Sequence, residues 1–258
     1  SHQHDRVVEL SELAGGLAHE IRNPLSTLKV NLQLLSEDLQ QAEDDSTLEN
    51  ELLRRALRRL GTLRTETDRL QKLLDAFLKL VGRHDIEARR VDLNQVVQHT
   101  VDFVEPQARA QSIRIRVDLW SAPLMCQVDP SLIQQALLNL WLNAQEAMPS
   151  GGELIVRTGA AGPWAKIEFS DTGRGIEPRI LDNIFKPFFS TKSGGSGLGL
   201  SLTRRLIGEH GGSIEVHSDL GTGSSVTIGL PLDAPHPGPP ASSSAAGVAD
   251  SDRSDADH

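Results

Sequence analysis

The chain has 258 residues, of which 38% are hydrophobic and 24% charged, as is ordinary for one large globular domain or two small ones. Its formal net charge of −9 argues against a general nucleic-acid binder, which normally carries a basic surface. The single cysteine, Cys126, excludes a disulfide framework and a multi-cysteine metal site, and no apolar run approaches the roughly 18 residues that span a bilayer.

An apolar repeat with steps of three and four residues opens the chain and predicts an amphipathic helix over about 5–41. The repeat consists of Leu10, Leu13, Leu17, Ile21, Leu25, Leu28, Leu32 and Leu35. His19 lies roughly 200° around the helix from Leu17, so it should point into water beside Glu20. Pro24 predicts a bend just beyond this turn. Because the chain begins inside this helix, we expect it to be a piece of a longer protein.

A second apolar repeat predicts another long helix over about 53–81, after a polar loop at 42–46. Its members are Leu53, Leu57, Leu60, Leu63, Thr67, Leu70, Leu74, Phe77 and Val81. The two helices should form an antiparallel hairpin whose combined apolar stripe is too wide for two helices to cover. A dimeric four-helix bundle would cover it, whereas a purely structural coiled coil is the alternative that periodicity leaves open.

The polar region 82–90 indicates a domain boundary, after which strands alternate with helices. Strands are predicted near 113–117, 153–158, 165–170, 213–217 and 225–230, and helices up to about 107, over 130–148 and over 198–210. Asp92 or Asn94 is suited to cap the first of these helices, and Asp129 before Pro130 the second. The predicted fold class is therefore α+β, with a helical domain over 1–84, a mixed domain with helices on one face of a sheet over 85–232, and a disordered tail over 233–258.

Three polar features of the second domain are suited to bind a nucleotide. Asn139 and Asn143 share one face of a helix and could hold a hydrated Mg²⁺ through their oxygens, although a solvated polar face is the simpler interpretation. Asp171 ends a strand, with Gly173 and Gly175 after it, and could accept a hydrogen bond from an exocyclic amine, although such a stretch is often only a turn.

The third feature is a glycine-rich loop at 194–199 that opens the last predicted helix. Gly195, Gly197 and Gly199 would free backbone amides to face a phosphate, and the helix dipole would favour the anion. Many glycine-rich loops are only flexible connectors, so this loop is a weak signal when it is taken alone. The order of a metal ligand, a base-binding carboxylate and a phosphate loop along one chain is much more specific.

In this order, with two further motifs, the chain resembles the catalytic core of a two-component sensor histidine kinase. Its H box is HEIRNPL at 19–25, its N box NLWLNA at 139–144, its first glycine box DTGRGI at 171–176, its F box FKPFFSTK at 185–192 and its second glycine box GSGLGL at 195–200. All five motifs occur in the family order and cover roughly residues 5–232. The resemblance implies a helical dimerisation and phosphotransfer domain followed by a Bergerat-type ATP-binding domain.

The resemblance also implies roles for individual residues. In the H box, His19 would accept the γ-phosphoryl group, Glu20 would be the general base, and Asn23 would either orient water for dephosphorylating a partner or be an ordinary surface residue. Asn143, with Asn139, would ligate Mg²⁺. Asp171 would bind the adenine amino group, with Gly173 and Gly175 alongside it, and Lys192, Gly195, Gly197 and Gly199 would contact the phosphates. A lid over about 177–196 would be anchored by Phe185, Phe188 and Phe189.

The implied function is that of a homodimeric protein-histidine kinase that uses ATP and Mg²⁺ and passes the phosphoryl group to an aspartate of a response regulator on another chain. Some members of the family carry a lysine at the position of Glu146, so phosphate neutralisation here would rest more on Lys192, Mg²⁺ and backbone amides. We expect a cytoplasmic fragment without membrane or nucleic-acid contacts. The alternatives are a Bergerat-fold ATPase or serine/threonine kinase, and a catalytically silent dimeric scaffold.

Overall fold

The computed structural model describes residues 2–44, 49–82, 85–191 and 195–233. Its helices are α1 (His2–Asp44), α2 (Glu49–Val81), α3 (Leu93–Ala110), α4 (Pro130–Ala147), α5 (Pro178–Leu181) and α6 (Gly199–Glu209). Its strands are β1 (Arg89–Asp92), β2 (Ile113–Asp118), β3 (Met125–Val128), β4 (Gly152–Ala161), β5 (Trp164–Asp171), β6 (Ser213–Asp219) and β7 (Gly223–Pro231). The polar loop predicted at 42–46 is wrong for residues 42–44, which belong to α1. The rest of that loop, Lys192 and nearly all of the predicted tail lie outside the described residues.

The helices α1 and α2 pack against each other as the predicted hairpin, and each buries only part of its apolar surface. Leu52, Ala56 and Leu73 are buried on α2, and the helix α1 continues through Pro24, so the predicted bend stays a prediction. Other members of the two repeats are about half exposed, among them Leu25, Leu32, Leu57, Leu60 and Leu74. The hairpin therefore leaves an apolar face uncovered, as the width of the stripe predicted.

A buried ion pair links the two helices near the far end of the hairpin. Arg59 Nε lies 2.8 Å from Asp38 Oδ2, and the two side chains are only 21% and 7% exposed. Because a charge left unpaired in such surroundings is strongly unfavourable, the pair favours one register of α1 against α2.

The second domain contains a five-stranded sheet with the order β2-β4-β5-β7-β6. β2 and β4 are parallel, and the other neighbours are antiparallel. Alternate residues of β4 and β5 are buried, and α3, α4 and α6 pack on that side, so the prediction of helices on one face of a sheet is confirmed. The core contains Leu154, Val156, Ile167, Phe169 and Ile228 from the sheet.

The strands β1 and β3 form a separate two-stranded sheet, and the sequence patterns predicted neither strand. Residues 82–90 were expected to be a polar boundary, but Arg89 and Arg90 begin an antiparallel pair with Gln127 and Val128. Each strand has only four residues, and both arginines are exposed, so no apolar alternation announces β1.

The end of α2 belongs to the core of the second domain. Leu80 is buried there, and Phe77 and Val81 pack against the same core. Arg205 of α6 donates a hydrogen bond from Nη2 to the carbonyl oxygen of Gly82 at 2.8 Å. The last turns of α2 thus connect the hairpin to α6, and the domain boundary predicted at 84 stays a prediction.

Asp129 holds together the start of α4, the segment before β1 and the end of α6. Its carboxylate accepts hydrogen bonds from Ser131 N–H at 2.9 Å, Ser131 Oγ–H at 2.6 Å and Glu87 N–H at 3.2 Å. Its own N–H donates to Nε2 of the buried His210, whose Nδ1 faces the Leu206 carbonyl oxygen at 2.7 Å. Burial raises the pKa of Asp129, but these hydrogen bonds outweigh burial and hold that pKa below its usual range.

Replacing Asp129 with Ala should lower the free energy of unfolding by about 1–2 kcal/mol at neutral pH, because the helix cap is lost. A carboxyl group with a depressed pKa stabilises the fold above its unfolded pKa, and that stabilisation is lost as the pH falls through the folded pKa. The difference between wild type and D129A should therefore shrink below about pH 4 in denaturant titrations. Asp118→Ala is the control because the Asp118 side chain is 75% exposed, and an equal loss in both variants would contradict the assignment.

Candidate functional site

A cleft of about 580 Å³ is lined by residues of α4, α5 and α6 and of the strands β5, β6 and β7. It is lined by most of the residues predicted to bind a nucleotide, namely Asn139, Asn143, Asp171, Gly175, Gly195, Gly197 and Gly199. Gly173 is buried directly behind Asp171. The structure thus brings the N box and both glycine boxes to one cavity, whose size is in the range of small-molecule sites.

Helix α4 presents its asparagines to the cleft because its opposite face is buried in the core. The buried face consists of Ile133, Ala136, Leu137, Leu140, Trp141 and Ala144. Asn139 and Asn143 are partly buried and lie one turn apart. The Asn139 amide nitrogen lies 3.4 Å from both the Gly199 carbonyl oxygen and Thr203 Oγ1, so this side chain also links α4 to the first turn of α6.

Asp171 places a carboxylate among apolar side chains at the base of the cleft. Its Oδ1 accepts a hydrogen bond from Gly173 N–H at 2.8 Å, and Phe169 and Val226 lie on the neighbouring wall. Burial raises the pKa of Asp171 above its usual range, although hydrogen bonds from the backbone of Gly173 and Ser224 act in the opposite direction. A half-buried acceptor beside apolar walls suits a flat heterocycle with an exocyclic amine.

The glycines after Asp171 are required by packing. Gly175 has a φ of 68°, and a Cβ there would lie 2.8 Å from the Asp219 carbonyl carbon in the β6–β7 turn. A Cβ at Gly173 would lie 2.7 Å from the Ala147 Cβ at the end of α4. These glycines let the loop pass closely between two elements. Packing alone therefore explains why both positions are glycine, and no direct contact with a ligand is needed for that explanation.

The glycine loop before α6 has the geometry expected of an anion site. Gly197 has a φ of 64°, and α6 begins two residues later. In the part of the chain that the structure describes, no side chain caps the first turn of α6. The N–H groups of this turn therefore remain available at the edge of the cleft, where the helix dipole favours negative charge. Lys192, the predicted partner of the phosphates, lies outside the described residues.

The three phenylalanines of the F box point in three directions. The Phe185 ring lies 5.8 Å from the Arg204 guanidinium carbon, and Phe189 lines the cleft. Phe188 packs between the core of the second domain and Gly16 of α1, and it has a φ of 63°. A positive φ on a residue with a bulky side chain costs on the order of 1–3 kcal/mol, so the surrounding contacts must hold it in place.

The H box lies outside this cleft. His19 and Asn23 are exposed on α1, as their helical positions predicted. The side chain of Glu20 is only 23% exposed, and its Oε2 lies 4.0 Å from Arg69 Nη2 on α2. Among the residues that the structure describes, all that line the cleft fall between 139 and 226, so His19 of the same chain does not border the cleft.

Several residues at the site carried no signal in the sequence. Arg69 beside Glu20 and Gly16 beside Phe188 each meet a partner on another element. The apolar walls of the cleft include Ile180, Ile184, Val216, Leu220 and Val226. Val226 and Val216 could have been found, because Val226 pairs with Phe169 across β5 and β7 and with Val216 across β6 and β7.

Each of the described helices is too short or too polar to cross a membrane.

Comparison with known proteins finds a match for each of the two regions. A family model described as "His Kinase A (phospho-acceptor) domain" matches residues 9–81, and one described as "Histidine kinase-, DNA gyrase B-, and HSP90-like ATPase" matches residues 128–234. Sensor histidine kinase ZraS of Escherichia coli (strain K12) is 34% identical over 229 residues, which cover 89% of this chain and 47% of ZraS. The chain thus spans about half the length of the curated relatives that it matches.

The fold is also similar to that of solved histidine kinase structures. The catalytic domain of histidine kinase ThkA superposes with a TM-score of 0.53 at 28% identity and covers 57% of this chain and 96% of that domain. A structure of ThkA in complex with the response regulator protein TrrA has a TM-score of 0.70 over 89% of this chain and 64% of the ThkA chain. Its identity is 24%, so it supports the arrangement of the fold alone.

Replacing Asp171 with Asn should weaken the binding of ATP about 10- to 100-fold, because a hydrogen bond to a charged acceptor is lost. The wild type should lose affinity as the pH falls through the raised pKa of Asp171, at a higher pH than an ordinary aspartate would titrate, whereas D171N should lack this dependence. Calorimetry with ATP and with ITP, which lacks the exocyclic amine, measures both effects. If ITP binds as tightly as ATP, the assignment of Asp171 to the amine is wrong.

Proposed function

We propose, from the premise that this chain belongs to the two-component sensor histidine kinases, that it phosphorylates itself on His19 with ATP and passes the phosphoryl group to an aspartate of a response regulator. The observation that carries the proposal is the convergence of Asn143, Asp171 and the loop around Gly197 on one cleft, in a chain that also exposes His19 on a helical hairpin. An ATPase would need the cleft alone, and a scaffold would need neither.

In this proposal the cleft orients ATP from both ends. Asp171 accepts a hydrogen bond from the adenine amino group, and Phe169 and Val226 pack against the base. The N–H groups around Gly197 and Gly199 bind phosphate oxygens at the start of α6. Lys192, which precedes Gly195 by three residues in the sequence, would add positive charge. Phosphoryl transfer depends mainly on positioning and charge neutralisation, and these groups supply both.

The side chains on the cleft-facing turn of α4 fit a magnesium ion. Amide oxygens are acceptable ligands for Mg²⁺, which keeps several waters and needs few protein groups. Asn143 would be the main ligand. Asn139 is closer to the first turn of α6, through its contacts with Gly199 and Thr203, and would support the ion from there. Bound Mg²⁺ would neutralise charge on the phosphates.

The nucleophile of the phosphoryl transfer is His19. A ring nitrogen of neutral His19 forms a bond to the γ-phosphorus, the bond from that phosphorus to the β–γ bridging oxygen breaks, and ADP leaves. Glu20 accepts a hydrogen bond from the other ring N–H and stabilises the positive charge that develops on the imidazole. The contact of Glu20 with Arg69 keeps this carboxylate close to the helix surface. Asn23, exposed one turn further along, is placed to orient water during dephosphorylation of the regulator.

The partners follow from the exposed faces of the hairpin. A second copy of the chain would cover the apolar stripe that includes Leu25, Leu32, Leu57 and Leu60 and complete a four-helix bundle. A response regulator would approach the exposed side of α1 that carries His19. ThkA, whose fold is similar, was solved with such a regulator bound.

His19→Gln should abolish acid-labile, base-stable phosphate on the protein after incubation with γ-labelled ATP and Mg²⁺, while nucleotide binding stays within about twofold of wild type. Phosphopeptide mapping of the wild type should place the label on the peptide that contains His19. His99→Gln, on α3, is the control and should label normally. Label that persists in H19Q, or acid-stable label in the wild type, would exclude this acceptor.

Leu57→Glu should shift the chain from dimer to monomer in sedimentation experiments, because it places a charge in the proposed bundle interface. Leu57 is 59% exposed in the single chain, and Phe103 on α3 is 69% exposed, so Phe103→Glu is the matched control. F103E should stay dimeric. A wild-type chain that sediments as a monomer at micromolar concentration would contradict the proposed dimer.

A further inference from the structure

A phenylalanine of the F box contacts the helix that carries His19, and a glycine makes room for it. A Cβ added at Gly16 would lie 2.7 Å from Cε2 of Phe188, well inside the distance that two carbons tolerate. At the adjacent Gly15, an added Cβ would have no atom within 4 Å. The two neighbouring glycines therefore differ in the space around them, and only at Gly16 does another side chain occupy the position that a Cβ would take.

The backbone of Phe188 is held in an unusual conformation that directs the ring outward. Phe189 N–H donates to the Lys186 carbonyl oxygen at 3.2 Å, which closes a four-residue turn with Pro187 at its second position. Phe188 occupies the third position with a φ of 63°, where such turns normally require glycine. A bulky residue at a position that favours glycine indicates that its side chain has a function there.

The phosphate loop packs against the same turn. A Cβ at Gly197 would lie 2.7 Å from both the Phe188 carbonyl oxygen and the Phe189 nitrogen, so the two backbones are in close contact. On its other side, Phe188 packs against the core of the second domain. The ring at Gly16 is thus connected through one peptide unit to the loop that would hold the phosphates.

The contact at Gly16 lies next to the proposed phosphoryl acceptor. Gly16 precedes His19 by three residues, which on a helix amounts to about 60° of rotation and about 4.5 Å along the axis. A domain that is held at Gly16 would keep its phosphate loop near this part of α1 while it turns, and the cleft would then reach the imidazole by rotation about Gly16. Holding reactants close in this way lowers the barrier of a two-domain reaction.

We propose that Phe188 is a positioning residue for autophosphorylation. Its ring packs on Gly16, and this contact is the pivot about which the ATP-binding domain aligns with His19. This inference rests on the proposed kinase function. It assigns to Phe188 no contact with the nucleotide, so it predicts a loss in the rate of transfer without a loss in nucleotide affinity.

The decisive experiment compares Gly16→Ala with Gly15→Ala in the full chain. Both variants gain similar helix propensity, so any difference between them reports the space at position 16. G16A should lower kcat for autophosphorylation at saturating ATP roughly tenfold or more, with KM for ATP and the dissociation constant of a fluorescent ATP analogue within about twofold of wild type. G15A should match the wild type in every measurement.

A double-mutant cycle tests whether the two residues act together. Phe188→Ala should lower kcat as G16A does, and G16A should cost nothing further when Phe188 is already Ala. Additive losses would mean that the residues act independently, and the proposal would be wrong. Thermal unfolding and analogue binding of each variant show whether the second domain is intact.

The outcomes separate this inference from the proposed function. If the wild type forms no phosphohistidine, the kinase assignment fails and Phe188 has no such role. If the wild type is active and G16A equals G15A, the kinase assignment stands and the positioning role is wrong. A higher kcat in G16A would also overturn the proposal, because the contact would then restrain the domain in place of guiding it.

Discussion

Burial of one face of α4 is the constraint on which the cleft depends. Leu137, Leu140 and Trp141 are almost completely buried, and each such side chain contributes about 1.5–3 kcal/mol when it leaves water. That burial fixes the rotation of the helix about its axis, and the opposite face then has to meet the cleft. Asn139 and Asn143 face the cleft because Leu140 and Trp141, which lie between them along the chain, are held in the core.

The second constraint is the close approach of backbone segments around the cleft. Gly173 and Gly175 let the loop after β5 pass beside α4 and the β6–β7 turn, and Gly197 lets the phosphate loop lie on the F box. These approaches bury Asp171 enough to raise its pKa, although backbone hydrogen bonds oppose the shift. The same packing therefore builds the cavity and tunes the acceptor inside it.

The two domains contact each other at the C-terminal end of α2 and at Gly16 within α1. The end of α2 belongs to the second core through Leu80, and Arg205 binds the Gly82 carbonyl oxygen. Phe188 contacts α1 at Gly16, close to His19. His19 does not border the cleft in this arrangement, so the proposed pivot at Gly16 would have to let the cleft turn toward His19.

The repeats of α1 and α2, the caps at Asp92 and Asp129 and the alternation in β4 and β5 are local patterns, and the structure confirms the elements that they predict. The sequence predicted neither β1 nor β3, because β1 has no apolar alternation and the four residues of β3 are too few to establish one. The nucleotide motifs were recognisable since each lies within a few neighbouring residues of the chain.

The sequence by itself therefore determined which residues could do chemistry, including His19, Asn143 and Asp171, and on which side of its helix His19 lies. Only the tertiary structure decided that Glu20 meets Arg69 and that Phe188 rests on Gly16. The physical reason is that helix and strand periodicity depend on neighbours a few residues apart. These contacts, in contrast, join residues that are far apart in the sequence and that meet only when whole helices and strands pack together.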